Sequence, residues 1–241
     1  MSLAMKPSSD GKIAPLRLAA TVLLVRDGPD GLQVFMVTRH RQIEFASGAL
    51  VFPGGGADPE DRALAGDDVE RISRVAAIRE TYEECGVLLA RPRSGAALAA
   101  SAAPFHERVK AEDLELSLDA LTLFAHWITP PILPKRFDTR FYISVAPPDQ
   151  TAVHDGGEAV DSVWIEPRRA LEEAAAGRYA LVLPTRLNLE LLGQSATAAE
   201  AIAAAAARRI APIEPIAEKT ATGYRLTIPA DAGYGGPHFD V

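Results

Sequence analysis

The sequence predicts an α/β fold: an α/β/α sandwich in which a mixed sheet lies between helices, with inserted helices and a C-terminal extension. Three observations lead to this prediction. Two β-rich runs flank a strong turn signal, an amphipathic helix follows a strand that ends in glycines, and strand-like and helical segments then follow one another to the last residues. With 241 residues, the chain can form one large domain or a domain with an extension.

The first elements form a predicted hairpin. The β-rich runs 17–26 and 33–38 are separated by residues 27–31, DGPDG, which favour a tight turn. Residues 49–52 are predicted to be a short strand that enters the glycine run at 54–56. After residues 57–68, this glycine run is followed by a helix with an acidic face.

That helix carries carboxylates on one face and apolar residues on the other. At about 100° per residue, Glu80, Glu83 and Glu84 fall within an arc of roughly 100°. Asp67 is the predicted N-cap, and Gly86 stands where a left-handed residue would end the helix. The apolar face, which predicts packing on a core, is formed by Val75, Ile78, Tyr82 and Cys85.

Three carboxylates so close together repel one another, and Arg79 offsets only part of that repulsion. The acidic face follows a glycine loop, whose backbone carbonyls can add further oxygen ligands. Oxygen ligands of this kind suit Mg²⁺ or Mn²⁺ better than zinc or copper. A solvated acidic helix face is the alternative, and the neighbouring glycine loop favours the metal site.

The second half continues the alternation of elements. Residues 94–119 are rich in alanine and acidic residues and are predicted to form one or two inserted helices. Further strands are predicted at 120–129, 138–145, 162–165 and 224–228, and further helices at 168–176, 185–192 and 197–209. We expect one domain over residues 16–193, with the helical insert around 94–119, and a C-terminal helix and strand extension over 194–241 packed on the same domain.

Composition excludes several classes of partner. A net charge of −7 argues against a broad surface for nucleic acid or for an anionic membrane. Apolar runs of transmembrane length and an evident signal peptide are absent from the sequence, so a cytoplasmic location is expected. Cys85 is the one cysteine, which excludes an internal disulfide framework and a cysteine-based zinc site. Pairing into a homodimer stays open.

Residues 79–87, RETYEECGV, resemble the second half of the Nudix box. The pattern of that box is Gly, five residues, Glu, seven residues, then Arg-Glu-U-x-Glu-Glu-x-Gly-U, with U apolar. The resemblance implies that Glu83 and Glu84 are the principal ligands of a divalent metal ion. It also implies that Gly55 or Gly56 supplies the loop whose backbone meets the metal.

The same resemblance gives roles to the two residues that open the half-motif. Glu80 would be a further metal ligand or the base that acts on water, and Arg79 would orient the glutamates. The first half of the box departs from the pattern, because Arg71 stands where its glutamate belongs and Glu70 is one position off. The spacing from Gly55 to the half-motif is also too long, so residues 57–68 are interpreted as an insertion.

A narrower resemblance covers more of the chain. The segments 45–55 (FASGALVFPGG), 79–92, 127–130 (WITP) and 136–141 (RFDTRF) are similar to the Nudix branch that contains the peroxisomal coenzyme A diphosphatases. The implied activity is metal-dependent hydrolysis of a phosphoanhydride bond in a nucleoside diphosphate conjugate, with coenzyme A or an acyl-coenzyme A as the favoured substrate. ADP-ribose-like substrates remain open, as does a regulatory Nudix-fold module that binds a nucleotide without turnover.

Four arginines and one glutamate complete the candidate site. Glu158 precedes a predicted strand and could be the general base or a metal ligand, or a solvated residue of an Asp-Gly-Gly turn. Arg39 and Arg41 follow a strand and could contact a diphosphate, since guanidinium groups bind phosphate in a bidentate manner. Arg136 and Arg140 alternate along a strand and could hold the anionic substrate. Asp138 lies between these two arginines, and a salt-bridge ladder is the alternative for this strand.

Overall fold

A seven-stranded mixed sheet forms the centre of the protein. The computed structural model describes residues 7, 12–39, 48–157 and 159–241. The elements, in chain order, are β1 Leu16–Gly28, β2 Gly31–Arg39, β3 Leu50–Val51, β4 Gly54–Gly56, α1 Pro59–Ala65, α2 Val69–Cys85, β5 Ala90–Pro92, α3 Phe105–Ala111, β6 Leu114–Leu116, a 3₁₀ helix Leu118–Ala120, β7 Thr122–Ile128, β8 Arg136–Val145, β9 Ala159–Ile165, α4 Pro167–Ala175, α5 Leu183–Leu192, α6 Ala198–Ala207, β10 Ile216–Lys219, β11 Tyr224–Thr227 and β12 His238–Asp240.

The main path of the sheet runs β3-β2-β1-β8-β7, with β4 paired to β1 and β9 paired to β2. β1 and β2 form the predicted hairpin, in which Gly28 pairs with Gly31. β1 and β8 are parallel, whereas the other pairings of this sheet are antiparallel. The sheet is therefore mixed, as the sequence predicted.

Apolar residues cover both faces of the sheet, because successive side chains of a strand point to opposite sides. Val22 and Leu24 of β1 pack in a cluster with residues of α2 and α3. Leu23 and Val25 pack in a second cluster with residues of α4, α5 and α6. Helices thus lie on both sides of the sheet, which confirms the predicted α/β/α layers.

α2 carries the acidic face and begins one residue later than predicted. Asp68, not Asp67, is its N-cap, and the Asp68 side chain accepts a hydrogen bond from the Arg71 backbone amide at 2.9 Å. The end of the helix is as predicted: Gly86 has a φ of 71° and donates its N–H to the Tyr82 carbonyl. Glycine adopts the left-handed conformation at little energetic cost, so the helix ends at Gly86.

The helical prediction for residues 94–119 holds only in part. α3 occupies the middle of this segment, but β6 follows it and pairs with β5, and residues 95–104 have no regular secondary structure. The alanines before α3 are mostly exposed. A high helix propensity without an apolar face to bury does not stabilise a helix.

The segment after residue 193 contacts the same sheet. α6 packs on β7, β8 and β1, and Ile213 exchanges backbone hydrogen bonds with His126 and Ile128 of β7. β10, β11 and β12 form a separate three-stranded sheet. Within the described part of the chain, each helix is too short or too polar to cross a membrane.

Candidate active site

The acidic face of α2 lies against the glycine strand β4. The opposite face anchors the helix, since Ile78 and Cys85 are fully buried in the core. Glu84 is almost buried as well, and its Oε2 accepts a hydrogen bond from the Gly54 amide at 2.9 Å. The prediction that the carboxylates meet the glycine run is therefore confirmed in the geometry.

Gly55 is in direct contact with Glu80. A Cβ atom added at Gly55 would lie 2.5 Å from Glu80 Oε1, a distance that no real contact allows. A Cβ added at Gly56 would meet its nearest atom, the Leu18 carbonyl oxygen, at 4.0 Å. Only the first of these two glycines is thus required by the position of the carboxylate.

Arg79 is buried and joins the carboxylates to one another. Its Nη1 donates to Glu80 Oε1 at 2.9 Å and to Glu83 Oε2 at 2.7 Å, and its Nη2 donates to the Gly56 carbonyl at 2.8 Å. Burial by itself lowers the pKa of this guanidinium, but the hydrogen bond to Asp61 and the charges of the nearby carboxylates outweigh burial and raise the pKa. Arg79 is therefore a permanent cation that orients Glu80 and Glu83.

Asp61 completes this arrangement and was missed in the sequence. It lies in α1, is fully buried, and accepts hydrogen bonds from Arg79 Nε at 2.9 Å and from Arg79 Nη2 at 3.0 Å. The signal was present, because Asp61 follows Gly55 after five residues, the spacing of the first glutamate in the Nudix box. Asp61 does not have the expected spacing from Arg79, because extra residues lie between them.

The interpretation of residues 57–68 as the insertion is corrected by Asp61. The extra residues lie after Asp61, and they include the rest of α1 and the turn into α2. Glu70 is not a substitute for the first glutamate, because its largely exposed carboxylate pairs with Arg74 at 2.8 Å. Asp61 of α1 stands at that glutamate's spacing from Gly55 instead.

The predicted arginines have different surroundings. Arg140 shares the α2 side of the sheet with Gly55, since Gly55 pairs with Ala20 and Ala20 pairs with Arg140. The Arg136 guanidinium is buried, and it donates to the Thr129 carbonyl at 3.0 Å and to Glu214 at 2.5 Å.

Asp138 of β8 belongs to a small charged cluster. Its Oδ1 contacts His126 Nε2 and lies 3.5 Å from Arg140 Nη1. His126 and Arg140 are direct partners in the β7–β8 register. Asp138 therefore makes the contacts expected of a salt-bridge ladder, which is the alternative to substrate binding for this strand.

Three predicted groups lie outside the described residues: the side chain of Arg39, and the whole of Arg41 and Glu158. The loop before residue 158 is described up to Gly157. The Asp155 amide donates to the Glu84 carbonyl at 3.1 Å, which joins this loop to the last turn of α2. Asp155 also accepts a hydrogen bond from the Ala159 amide at 3.1 Å.

The donor groups of the site fit a divalent cation by their chemistry. Glu80, Glu83 and Glu84 offer carboxylate oxygens, which are the ligands that Mg²⁺ and Mn²⁺ prefer. Among the described residues, no three acidic, histidine or cysteine side chains already converge as a formed metal centre. Glu80 and Glu83 are turned toward Arg79. The Glu83 side chain is 44% exposed, so it has room to rotate.

The fold and the site define a class of protein: an α/β/α domain whose acidic helix is held against a glycine strand by a buried arginine. No family model matches the chain. It is 33% identical to nudix hydrolase 7 of Caenorhabditis elegans over 172 residues, which are 67% of this chain and 56% of that protein. It is 27% identical to the human acyl-coenzyme A diphosphatase NUDT19 over 206 residues, 74% of this chain and 52% of the human protein.

A solved structure agrees with these relatives. The crystal structure of a NUDIX hydrolase from Alicyclobacillus acidocaldarius superimposes with a TM-score of 0.71 at 29% identity, covering 79% of this chain and 97% of that one. The chain belongs to the Nudix hydrolase superfamily, as the sequence resemblance predicted. It spans about half the length of these two curated relatives. Nudix hydrolases generally use divalent metal ions.

Proposed function

We propose that this chain is a divalent-metal-dependent diphosphatase, which hydrolyses a phosphoanhydride bond in a nucleoside diphosphate linked to another moiety. One observation carries the proposal: the buried Arg79 holds Glu80 and Glu83 beside the glycine strand while its other side is fixed by Asp61. Such an arrangement places three mutually repelling carboxylates in a defined geometry. A helix face without a function would gain nothing from this repulsion.

Glu83, Glu84 and Glu80, with the backbone of Gly55, are the proposed ligands of Mg²⁺ or Mn²⁺. When bound, the ion would neutralise diphosphate charge and lower the pKa of a coordinated water. The chain's own residues keep the ligands in place: Arg79 orients two carboxylates, and the Gly54 amide orients Glu84.

The hydrolytic step needs a base and a leaving group. Water attacks one phosphorus, its proton passes to a carboxylate, and the bond from that phosphorus to the bridging oxygen breaks. Glu80 and Glu158 are the proposed candidates for the base, and Arg79 acts by orienting Glu80 rather than by touching the substrate. Excess negative charge on the departing phosphate is balanced by the positive groups of the site.

The favoured substrate is coenzyme A or an acyl-coenzyme A. The name of the human relative supports this choice, and ADP-ribose-like conjugates are the alternative. Arg140 is the first proposed contact to the substrate, since it lies on the same side of the sheet as Gly55. Arg39, Arg41 and Arg136 are the other proposed contacts. A cytoplasmic location and a homodimer stay predictions.

A substrate panel tests the proposal. The protein is incubated with Mg²⁺ or Mn²⁺ and with coenzyme A, acyl-coenzyme A, ADP-ribose, NADH and dinucleoside polyphosphates, and the products are resolved chromatographically. With coenzyme A we expect adenosine 3′,5′-bisphosphate and a phosphopantetheine. Glu83→Gln should lower kcat at least about 100-fold, because it removes a proposed ligand of the catalytic ion.

Glu70→Gln is the matched control, because Glu70 lies on the same helix but its exposed carboxylate faces Arg74. This variant should keep the wild-type kcat. Cleavage of none of these compounds, or turnover that survives Glu83→Gln, contradicts the proposed hydrolase. Tight nucleotide binding without cleavage would instead support a regulatory module.

A further inference from the structure

His106 of α3 faces the buried end of the carboxylate network. Its Nε2 is buried and lies 3.3 Å from Asp61 Oδ1, a close contact without hydrogen-bond geometry, and its Nδ1 lies 2.9 Å from Glu60 Oε2. Asp61 Oδ1 is the same oxygen that accepts the hydrogen bond from Arg79 Nε. The imidazole and the guanidinium therefore meet at one carboxylate oxygen.

We propose that His106 is a positioning residue for the carboxylate site: it holds Asp61 against Arg79 and, through Arg79, fixes Glu80 and Glu83. The catalytic consequence rests on the proposed function, whereas the structural contact does not. Contacts join His106 to Glu80 and Glu83 by way of Asp61 and Arg79, so we assign it no contact with the substrate. Its effect passes through these two side chains.

The surroundings of His106 fix the direction of its ring. Phe105 next to it is buried, and the two rings meet edge to face with centroids 5.1 Å apart. Tyr82 of α2 packs on Phe105, and its hydroxyl lies 2.8 Å from the Ala103 carbonyl and 2.9 Å from the Ser101 carbonyl. α3 is thus anchored on the same helix that carries the glutamates.

Two helices other than α2 meet at this point. Glu60 and Asp61 lie in α1, and His106 lies in α3. Contact with His106 gives α1 a second support in addition to Arg79.

Four full-length variants test the proposal. Glutamine at position 106 has an amide that reaches as far as Nε2, whereas asparagine reaches only as far as Nδ1, so His106→Gln and His106→Asn separate the two contacts. His106→Ala removes both contacts. Glu107→Gln changes the exposed neighbour on the same helix and is the control. Thermal unfolding of each variant verifies that it is folded.

Two readouts need no turnover. The first is the exchange of the Arg79 Nε proton with water, followed by ¹⁵N NMR in the absence of metal and assigned with Arg79→Lys. The second is the dissociation constant of Mn²⁺ from calorimetry. In His106→Ala and His106→Asn we expect the exchange rate of the Arg79 Nε proton to rise by about tenfold. The dissociation constant of Mn²⁺ should rise by about the same factor, which is the size found when residues that support metal ligands are removed.

His106→Gln should be close to wild type, and so should Glu107→Gln. With coenzyme A as substrate, the loss in His106→Ala should fall on kcat and leave KM unchanged. Equal behaviour of the glutamine and asparagine variants, or His106→Ala data that match the control, would overturn the proposal. Absence of Mn²⁺ binding and turnover in the wild type would contradict the proposed function, and the exchange rates would still decide the contact of His106.

Discussion

Gly55 shows how one missing side chain sets the geometry of the candidate site. The space that a Cβ would fill is occupied by the Glu80 carboxylate, so Gly55→Ala must displace that carboxylate. We expect kcat to fall by about 100-fold, the penalty for displacing a catalytic group by an ångström, with little change in thermal stability. The assay is steady-state hydrolysis of the substrate found in the panel.

Gly56→Ala provides the matched comparison, because a Cβ at that position has its nearest neighbour 4.0 Å away. It should keep nearly full activity. If both alanine variants lose activity equally, the contact between Gly55 and Glu80 does not determine the rate.

Asp61 is a polar residue whose removal should cost much of the stability. It is fully buried and forms two hydrogen bonds with Arg79, so Asp61→Ala leaves a buried guanidinium without its main partner. Breaking a buried pair in this way costs about 3–5 kcal/mol, and urea unfolding should show a loss of that size.

Asp67→Asn is the control for Asp61→Ala, since Asp67 pairs with Arg62 at the surface with its side chain 96% exposed. Exposed pairs contribute little, so no measurable change is expected. A similar small change in Asp61→Ala would show that the buried pair does not stabilise the fold.

At the scale of elements, α2 presents two faces with opposite requirements. Cys85 lies on the apolar face, is fully buried and donates its Sγ–H to the Thr81 carbonyl at 2.7 Å. Burial raises the pKa of this thiol, and the charge of Glu84 raises it further. The neutral thiol is thus strongly favoured in the folded protein.

A thiol reagent should therefore fail to modify native Cys85. The thiolate is the reactive form, so at about pH 8 we expect labelling to be at least about 100-fold slower than in the urea-unfolded chain. Because the folded pKa is the higher one, the thiol's contribution to stability is complete below the unfolded pKa and is lost as pH rises toward the folded value. Rapid labelling of the native protein would mean that this end of α2 opens readily.

The elements that the sequence predicted well are those with a strong local signal. The β1–β2 hairpin follows from its turn residues, and α2 follows from its apolar stripe and Gly86. The helical prediction for residues 95–104 was wrong, because their alanines favour a helix but are mostly exposed and form no buried apolar face. The ion pair of Asp61 with Arg79 was not predicted, because the extra residues between them give Asp61 the expected spacing from Gly55 but not from Arg79.

The two faces of the sheet give the molecule two cores with one set of strands in common. One core contains Val22 and Leu24 with α2, and the other contains Leu23 and Val25 with α6. Neither core can lose its helices without exposing the alternate side chains of β1. We therefore propose that residues 194–241 unfold together with the rest of the chain.

The two tryptophans of the chain make this testable, because each reports on one core. Trp127 packs on Tyr234 with ring centroids 5.4 Å apart, and Trp164 packs on Phe35 at 5.3 Å. In Trp164→Phe the remaining fluorescence reports on the core that includes the C-terminal segment, and in Trp127→Phe it reports on the core of α2.

Within each variant, the urea midpoints from fluorescence and from far-ultraviolet circular dichroism should coincide, as in a two-state transition. A Trp127 signal that changes at lower urea than the circular dichroism would mean that the C-terminal segment detaches first, since its Tyr234 is the aromatic partner of Trp127 and its Ile213 pairs with β7.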